Sequence, residues 1–86
     1  MPRISEFYGI AIYMYVAREH PPPHFHAVYG EFEASVGLDG VIVAGKLPRR
    51  AAALVASWAR LHADELAANW AKAMARQPLD TIDPLP

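Results

Sequence analysis

Three things are missing from this sequence, namely cysteine, long apolar runs and appreciable net charge. Without cysteine the chain forms no disulfide and offers no thiolate to a metal, which fits a reducing compartment. No stretch reaches the roughly 18 consecutive apolar residues of a membrane-spanning helix. Residues 1–6 also lack the apolar segment of a signal peptide. We therefore expect a cytoplasmic protein that does not bind membranes.

The net charge of −1 and the pI near 6.4 argue against a protein that coats nucleic acid, because such domains are usually strongly basic. The charges are nevertheless unevenly distributed. Residues 40–63 carry four cations and no acid: Lys46, Arg49, Arg50 and Arg60. A local basic patch, and with it a contact to RNA, therefore stays open.

Signatures of common enzyme classes are also absent. The sequence has no glycine-rich phosphate loop, no nucleophile elbow and no carboxylate pair of distinctive spacing. We assign no cofactor, and whether the protein is an enzyme stays open.

The length of 86 residues allows a single domain over 1–86, with a sheet in 1–45, helices in 48–76 and a tail in 77–86. The hydrophobic fraction of 53% is sufficient for a core. A domain of this size buries only about two-thirds of its unfolded surface, so dimerisation is plausible.

The first half of the chain has the patterns of strands. Residues 10–16 alternate between apolar and other side chains, and 4–8 are a candidate for a short preceding strand that Gly9 ends. Further strands are predicted over 24–29, 32–37 and 41–44. Glycine at the first central position of Gly30-Glu31 favours a type II′ hairpin turn. Because every connection is short, we predict an α+β fold in which a four-stranded antiparallel meander precedes two C-terminal helices packed on one face.

The second half is helical, since no glycine or proline interrupts it between Pro48 and Pro78. One helix over that span would be roughly 43 Å long, whereas a domain of this size is only about 30 Å across. The apolar residues also point in two directions, about 110° apart. We predict helices over 48–62 and 64–76, with Asp64 as a possible N-cap of the second. A single kinked helix, or a straight one with a dimer face, is the alternative.

Two smaller assignments follow from the same patterns. Trp58 and Trp70 lie at apolar positions of the helices and are predicted to be in the core. In the proline-rich tail, Ile82 and Leu85 either dock on the sheet or fray.

The histidines are concentrated in residues 19–26, which hold three of the four histidines and three of the eight prolines. The spacing of two places His24 and His26 on the same face of a strand, and His20 lies across the proline turn from them. Three imidazoles with an open position are a known zinc arrangement, but the H-x₃-H-x-H spacing is weak, so we assign no metal. Acid–base chemistry or a phosphate contact is a second interpretation. Polar residues beside a rigid turn are the third.

A second candidate site lies where the helices begin. Lys46, Arg49 and Arg50 surround a helix start that has Leu47, and no Ser, Thr, Asp or Asn, at the expected cap. Free amide groups and cations together favour a phosphate or a partner's carboxylate. The alternative is internal pairing with glutamates of the sheet: Glu6, Glu31 or Glu33.

Aromatic residues are the third feature. Tyr13, Tyr15, Phe25 and Tyr29 are predicted to line the sheet face away from the helices. Such a surface either stacks RNA bases or is buried against a second subunit.

Several stretches together resemble one family: 1–5, 7–10, 14–15, 22–27, 29–31, 45–50, and Leu66 with Asn69-Trp70. They are similar to small bacterial proteins catalogued as domain of unknown function 4160, and Pro-Pro-His-Phe-His-Ala is the most specific mark. This chain has three prolines before His24 where the pattern usually has two. The resemblance implies no established activity. It does imply a gene beside another small gene, an arrangement that looks like a toxin–antitoxin pair.

Our leading hypothesis is a toxin–antitoxin-like component that binds RNA or a small partner protein through these residues: His20, His24, His26, Tyr29, Lys46, Arg49 and Arg50. It predicts that the histidine strand and the helix start share one surface. The alternatives are a homodimeric or partner-binding module that uses the aromatic face, and a metal-binding domain.

Overall fold

The computed structural model describes residues 2–15 and 22–86, which form one antiparallel sheet and two helices. The elements are β1 (Arg3–Phe7), β2 (Ile10–Tyr13), β3 (His24–Tyr29), β4 (Phe32–Gly37), β5 (Ile42–Gly45), α1 (Arg49–Leu61) and α2 (Ala63–Met74). The strands lie side by side in chain order. The predicted α+β meander with two C-terminal helices is therefore confirmed.

The sheet has five strands instead of four, because the first segment is a full strand. β1 and β2 are joined by Tyr8-Gly9, both of which have positive φ, at +50° and +78°. Two such residues are typical of the type I′ turn, whose twist suits a two-residue hairpin, and Phe7 pairs directly with Ile10. The residue types do not indicate this turn, since a tyrosine rarely adopts positive φ.

Trp58 of α1 forms the centre of the core. It is completely buried, and its ring centroid lies 5.3 Å from that of Phe7 and 5.5 Å from that of Phe25. The prediction that Phe25 belongs to an outward aromatic surface is wrong. Side chains alternate along β3, so the residue between the two histidines faces α1.

The helical half is divided at His62, which ends α1 and begins α2 with φ −114°. Two helices are therefore confirmed, and Asp64 is not the N-cap that we predicted. His62 occupies that position without a side-chain cap bond, and its Nδ1 lies 2.6 Å from Oε1 of Glu65. Asp64 lies in the first turn, where the helix dipole favours an acid.

Neither helix is long or apolar enough to cross a membrane. This statement covers the described residues, 2–15 and 22–86.

The tail docks on the domain. Ile82 is 4% exposed, and its amide donates to the Ile4 carbonyl of β1 at 2.7 Å. Trp58 Nε1 donates to the Asp83 carbonyl at 2.9 Å. Leu85 packs against the core, partly buried. Of the two predictions for this segment, docking is confirmed.

Candidate binding site on the outer sheet face

His24 and His26 lie on the face of the sheet that points away from α1, because their neighbour Phe25 contacts Trp58. Their ring centroids are 5.1 Å apart, which confirms the predicted shared face. Tyr15 continues the row at 4.7 Å from His26. At the other end, Trp70 of α2 lies 5.5 Å from His24 and is partly buried against the core.

His24 is held by the proline turn. Its Nδ1 lies 2.9 Å from the carbonyl oxygen of Pro22, which only accepts hydrogen bonds. The proton therefore lies on Nδ1, which donates to that oxygen. Only 9% of the residue is exposed. The side chain of His24 is therefore packed among its neighbours, and its ring orientation is fixed.

A cavity of about 590 Å³ opens beside His24 on the outer face, and we call it the outer groove. Its walls are mostly aliphatic: Pro22, Pro23, Leu38, Val41, Val43 and Ala44. Three polar residues also line it, namely His24, Ser35 and Asp39. A mainly apolar cleft with a few polar groups is the usual form of a ligand or side-chain pocket.

The carboxylate of Asp39 lies over Gly37, in the lining of the same cavity as His24, because Gly37 has no side chain. Gly37 is the cross-strand partner of His24, and a Cβ added to it would lie 2.8 Å from Asp39 Oδ1. The same oxygen accepts a hydrogen bond from the Val41 amide at 3.0 Å. Sequence reasoning identified Asp39-Gly40 only as a turn and missed both Asp39 and Ser35 as site residues. The sequence feature that could have indicated them is the glycine at position 37, which leaves space opposite His24 on the neighbouring strand.

Tyr29 and Arg50 lie together at the other end of β3 from His24. Tyr29 faces α1 and borders a cavity of about 210 Å³ with Tyr8, Pro48 and Arg50. This position excludes Tyr29 from the outward aromatic surface. Lys46 lies on another part of the surface, near two sheet glutamates.

The start of α1 matches the predicted lack of a side-chain cap. Its N-cap is Pro48, one residue after the position we expected, with no side-chain hydrogen bond and no acid in the first turn. Arg49 and Arg50 are both exposed there. Of the glutamates proposed to pair with them, Glu6 instead pairs with Arg3 at 2.8 Å.

The two groups of predicted residues are not brought together. His24 begins β3 and Tyr29 ends it, which separates them by about 17 Å at the usual rise of a strand. The histidines also face outward, whereas Tyr29 and Arg50 lie on the α1 side. The prediction of one shared surface is therefore wrong. Binding by either group alone stays a prediction.

A metal centre finds no support in the part of the chain that the structure describes. Within it, no three histidine, cysteine or acidic residues are arranged to hold an ion. His20, the third histidine of the sequence pattern, lies outside the described residues.

A family model described as "Domain of unknown function (DUF4160)" matches residues 9–71, about three quarters of the chain. The matched region includes the outer groove residues and α1, and it excludes β1 and the tail. No curated protein and no solved structure matches.

Proposed function

The chain belongs to the DUF4160 family, and from that premise we propose that it is the partner-binding member of a toxin–antitoxin-like pair in the bacterial cytoplasm. The family description names no activity, so the proposal depends on the geometry of the outer groove. The partner is a small protein that places an apolar side chain in this groove.

The exposed valines of the groove are the observation that carries this proposal. Val41 is 59% exposed and Val43 60% exposed, beside an aliphatic cavity large enough for a side chain. Single exposed apolar residues are ordinary, but a contiguous apolar patch around a cleft is typical of an interaction site. His24 and Asp39 add two polar groups that orient whatever enters.

The test is co-expression with the product of the adjacent gene, followed by calorimetric titration of the purified proteins. Ala44→Trp fills the groove from an exposed position, so the fold should tolerate it. We expect binding to weaken by about tenfold or more, which corresponds to about 1.4 kcal/mol. His24 is a poorer probe, because its replacement would also release the Pro22 turn.

Ala53→Trp is the matched control, since Ala53 is an exposed alanine on α1, away from the groove. It should leave the affinity unchanged. Equal affinities for the two tryptophan variants and the parent would refute a role for the groove.

RNA binding at the start of α1 is a second candidate, supported by a separate observation. Tyr8 is 56% exposed and Tyr29 38% exposed, and both border the same cavity as Arg50. Tyrosines beside an arginine suit base stacking together with a phosphate contact. The exposed Arg49 and Lys46 are nearby in the chain.

This candidate is tested by fluorescence anisotropy with a labelled single-stranded oligouridine at low salt. Arg50→Gln should weaken binding by about tenfold, because one phosphate contact and its counterion release are lost. Arg60→Gln changes an exposed arginine in the last turn of α1 and should have little effect. Equal losses in both variants would indicate only non-specific charge attraction.

A further inference from the structure

β5 forms one edge of the sheet, and its exposed side is apolar. In the described part of the chain no further strand pairs with it, and residues 43–45 are exposed. Residues 40–45 contain neither a charge nor a proline. Natural sheet edges usually carry such residues, because an unprotected edge offers free N–H and C=O groups to another strand.

The charges that flank β5 are arranged in a self-complementary way. Asp39 precedes the strand, Lys46 follows it, and both are exposed. In an antiparallel pair the start of one strand lies beside the end of the other. Lys46 of a second copy would therefore lie near Asp39 of the first. By symmetry, Lys46 of the first copy would lie near Asp39 of the second. A parallel pair would instead bring like charges together.

From this edge and its flanking charges we propose that two copies of the chain associate through antiparallel pairing of their β5 strands. The pair has two-fold symmetry, as most homodimers do, and joins the two sheets into one. Because the pairing runs in the plane of the sheet, both outer grooves lie on the same face. This dimer does not depend on the proposed function.

A bulge in β5 does not contradict the pairing. Val43 is the extra residue between Ile42 and Ala44, which pair with adjacent residues of β4. Bulges are one means by which edges avoid association. β1 carries a similar irregularity near Ile4, so the bulge does not distinguish the two edges. They differ in that β1 carries charged residues and is covered by the tail, whereas β5 has neither feature in the described chain.

Sedimentation velocity over a range of protein concentrations tests the dimer. The parent should show a concentration-dependent change from monomer to dimer. Val43→Lys places a charge in the middle of the edge and should raise the dimer Kd by about tenfold or more. Lys46→Glu places like charges at both ends and should raise the Kd by several-fold, because like charges directly opposite each other destabilise a strand pair.

Leu61→Lys is the matched control, because Leu61 is 59% exposed and lies at the end of α1. It should leave the dimer Kd unchanged. A parent that stays monomeric at every concentration would overturn the proposal, and so would a dimer that neither β5 variant weakens. Lys46 does not line the outer groove, so Lys46→Glu should retain the adjacent-gene partner even where it loses the dimer. The two proposals therefore fail separately.

Discussion

The two edges of the sheet are protected in different ways. β1 carries Arg3 and Glu6, which form an ion pair, and the tail lies along it through the Ile82–Ile4 hydrogen bond. β5 carries no charge, and in the described chain no segment covers it. One edge is therefore closed by the chain itself, while the other keeps its hydrogen-bonding groups available.

The two edges also differ in the polar contacts that hold them in place. Side chains from α1 and α2 hold the tail by its main chain: Trp58 bonds the Asp83 carbonyl, and Asn69 bonds both the amide and the carbonyl of Asp80. β5 is held by its ladder to β4, by the packing of Ile42 against the core and by the glycines that let it turn. We expect β1 to be stabilised by distant residues and β5 by local geometry.

The largest expected effect is at the end of β5. Gly45 has φ +74°, and an added Cβ would lie 2.3 Å from the Glu33 carbonyl oxygen of β4. Gly45→Ala combines this clash with a left-handed conformation that costs about 1–2 kcal/mol for an L-residue. We expect the free energy of unfolding to fall by about 2–4 kcal/mol in urea denaturation.

Gly30→Ala separates the clash from the backbone strain. Gly30 also has positive φ, at +56°, but no atom lies within 4 Å of an added Cβ. Its replacement should destabilise by only about 1 kcal/mol. Equal losses in the two variants would show that the close approach to β4 does not secure β5.

The second prediction concerns the covered edge. Asn69 is 1% exposed; its Nδ2 donates to the Asp80 carbonyl at 2.8 Å, and its Oδ1 accepts from the Asp80 amide at 3.0 Å. Asn69→Ala removes both bonds and should lower the unfolding free energy by about 2–3 kcal/mol. Hydrogen exchange should accelerate at the Ile82 amide while the amides of β5 stay protected as before.

Gln77→Ala is the control, since it removes an exposed amide side chain and should change neither stability nor exchange. If Asn69→Ala accelerates exchange in β5 as much as at Ile82, the tail is not a local cover of β1 and the contrast between the edges fails.

Most of the fold follows from local pattern. Residues 24–29 and 32–37 are strands with the predicted bounds, because alternation and the Gly30 turn define both ends. The two helices follow from the change in direction of the apolar stripe. The candidate strand over 4–8 was not counted in the four-stranded meander, and the hairpin that joins it to β2 contains Tyr8 at positive φ, a conformation that the residue type does not indicate.

The candidate site was less predictable because it depends on three-dimensional neighbours. The alternation placed both histidines on one face, but it left open which face the helices cover. Because α1 covers the face opposite the histidines, Phe25 lies in the core and Tyr29 lies beside α1. Asp39 lies against Gly37, the cross-strand partner of His24, and this placement requires the register between β3 and β4.

The smallest expected effect tests how the tail is held. Lys72 Nζ contacts Asp80 Oδ2 on the surface, with the two side chains 34% and 72% exposed. Exposed ion pairs contribute about 0.2–1 kcal/mol and weaken with salt. Lys72→Ala, Asp80→Ala and the double variant should therefore give a coupling energy of about 0.5 kcal/mol or less by urea denaturation, smaller still in 1 M salt. A coupling as large as the loss in Asn69→Ala would mean that charge, and not recognition of the main chain by Asn69, closes this edge.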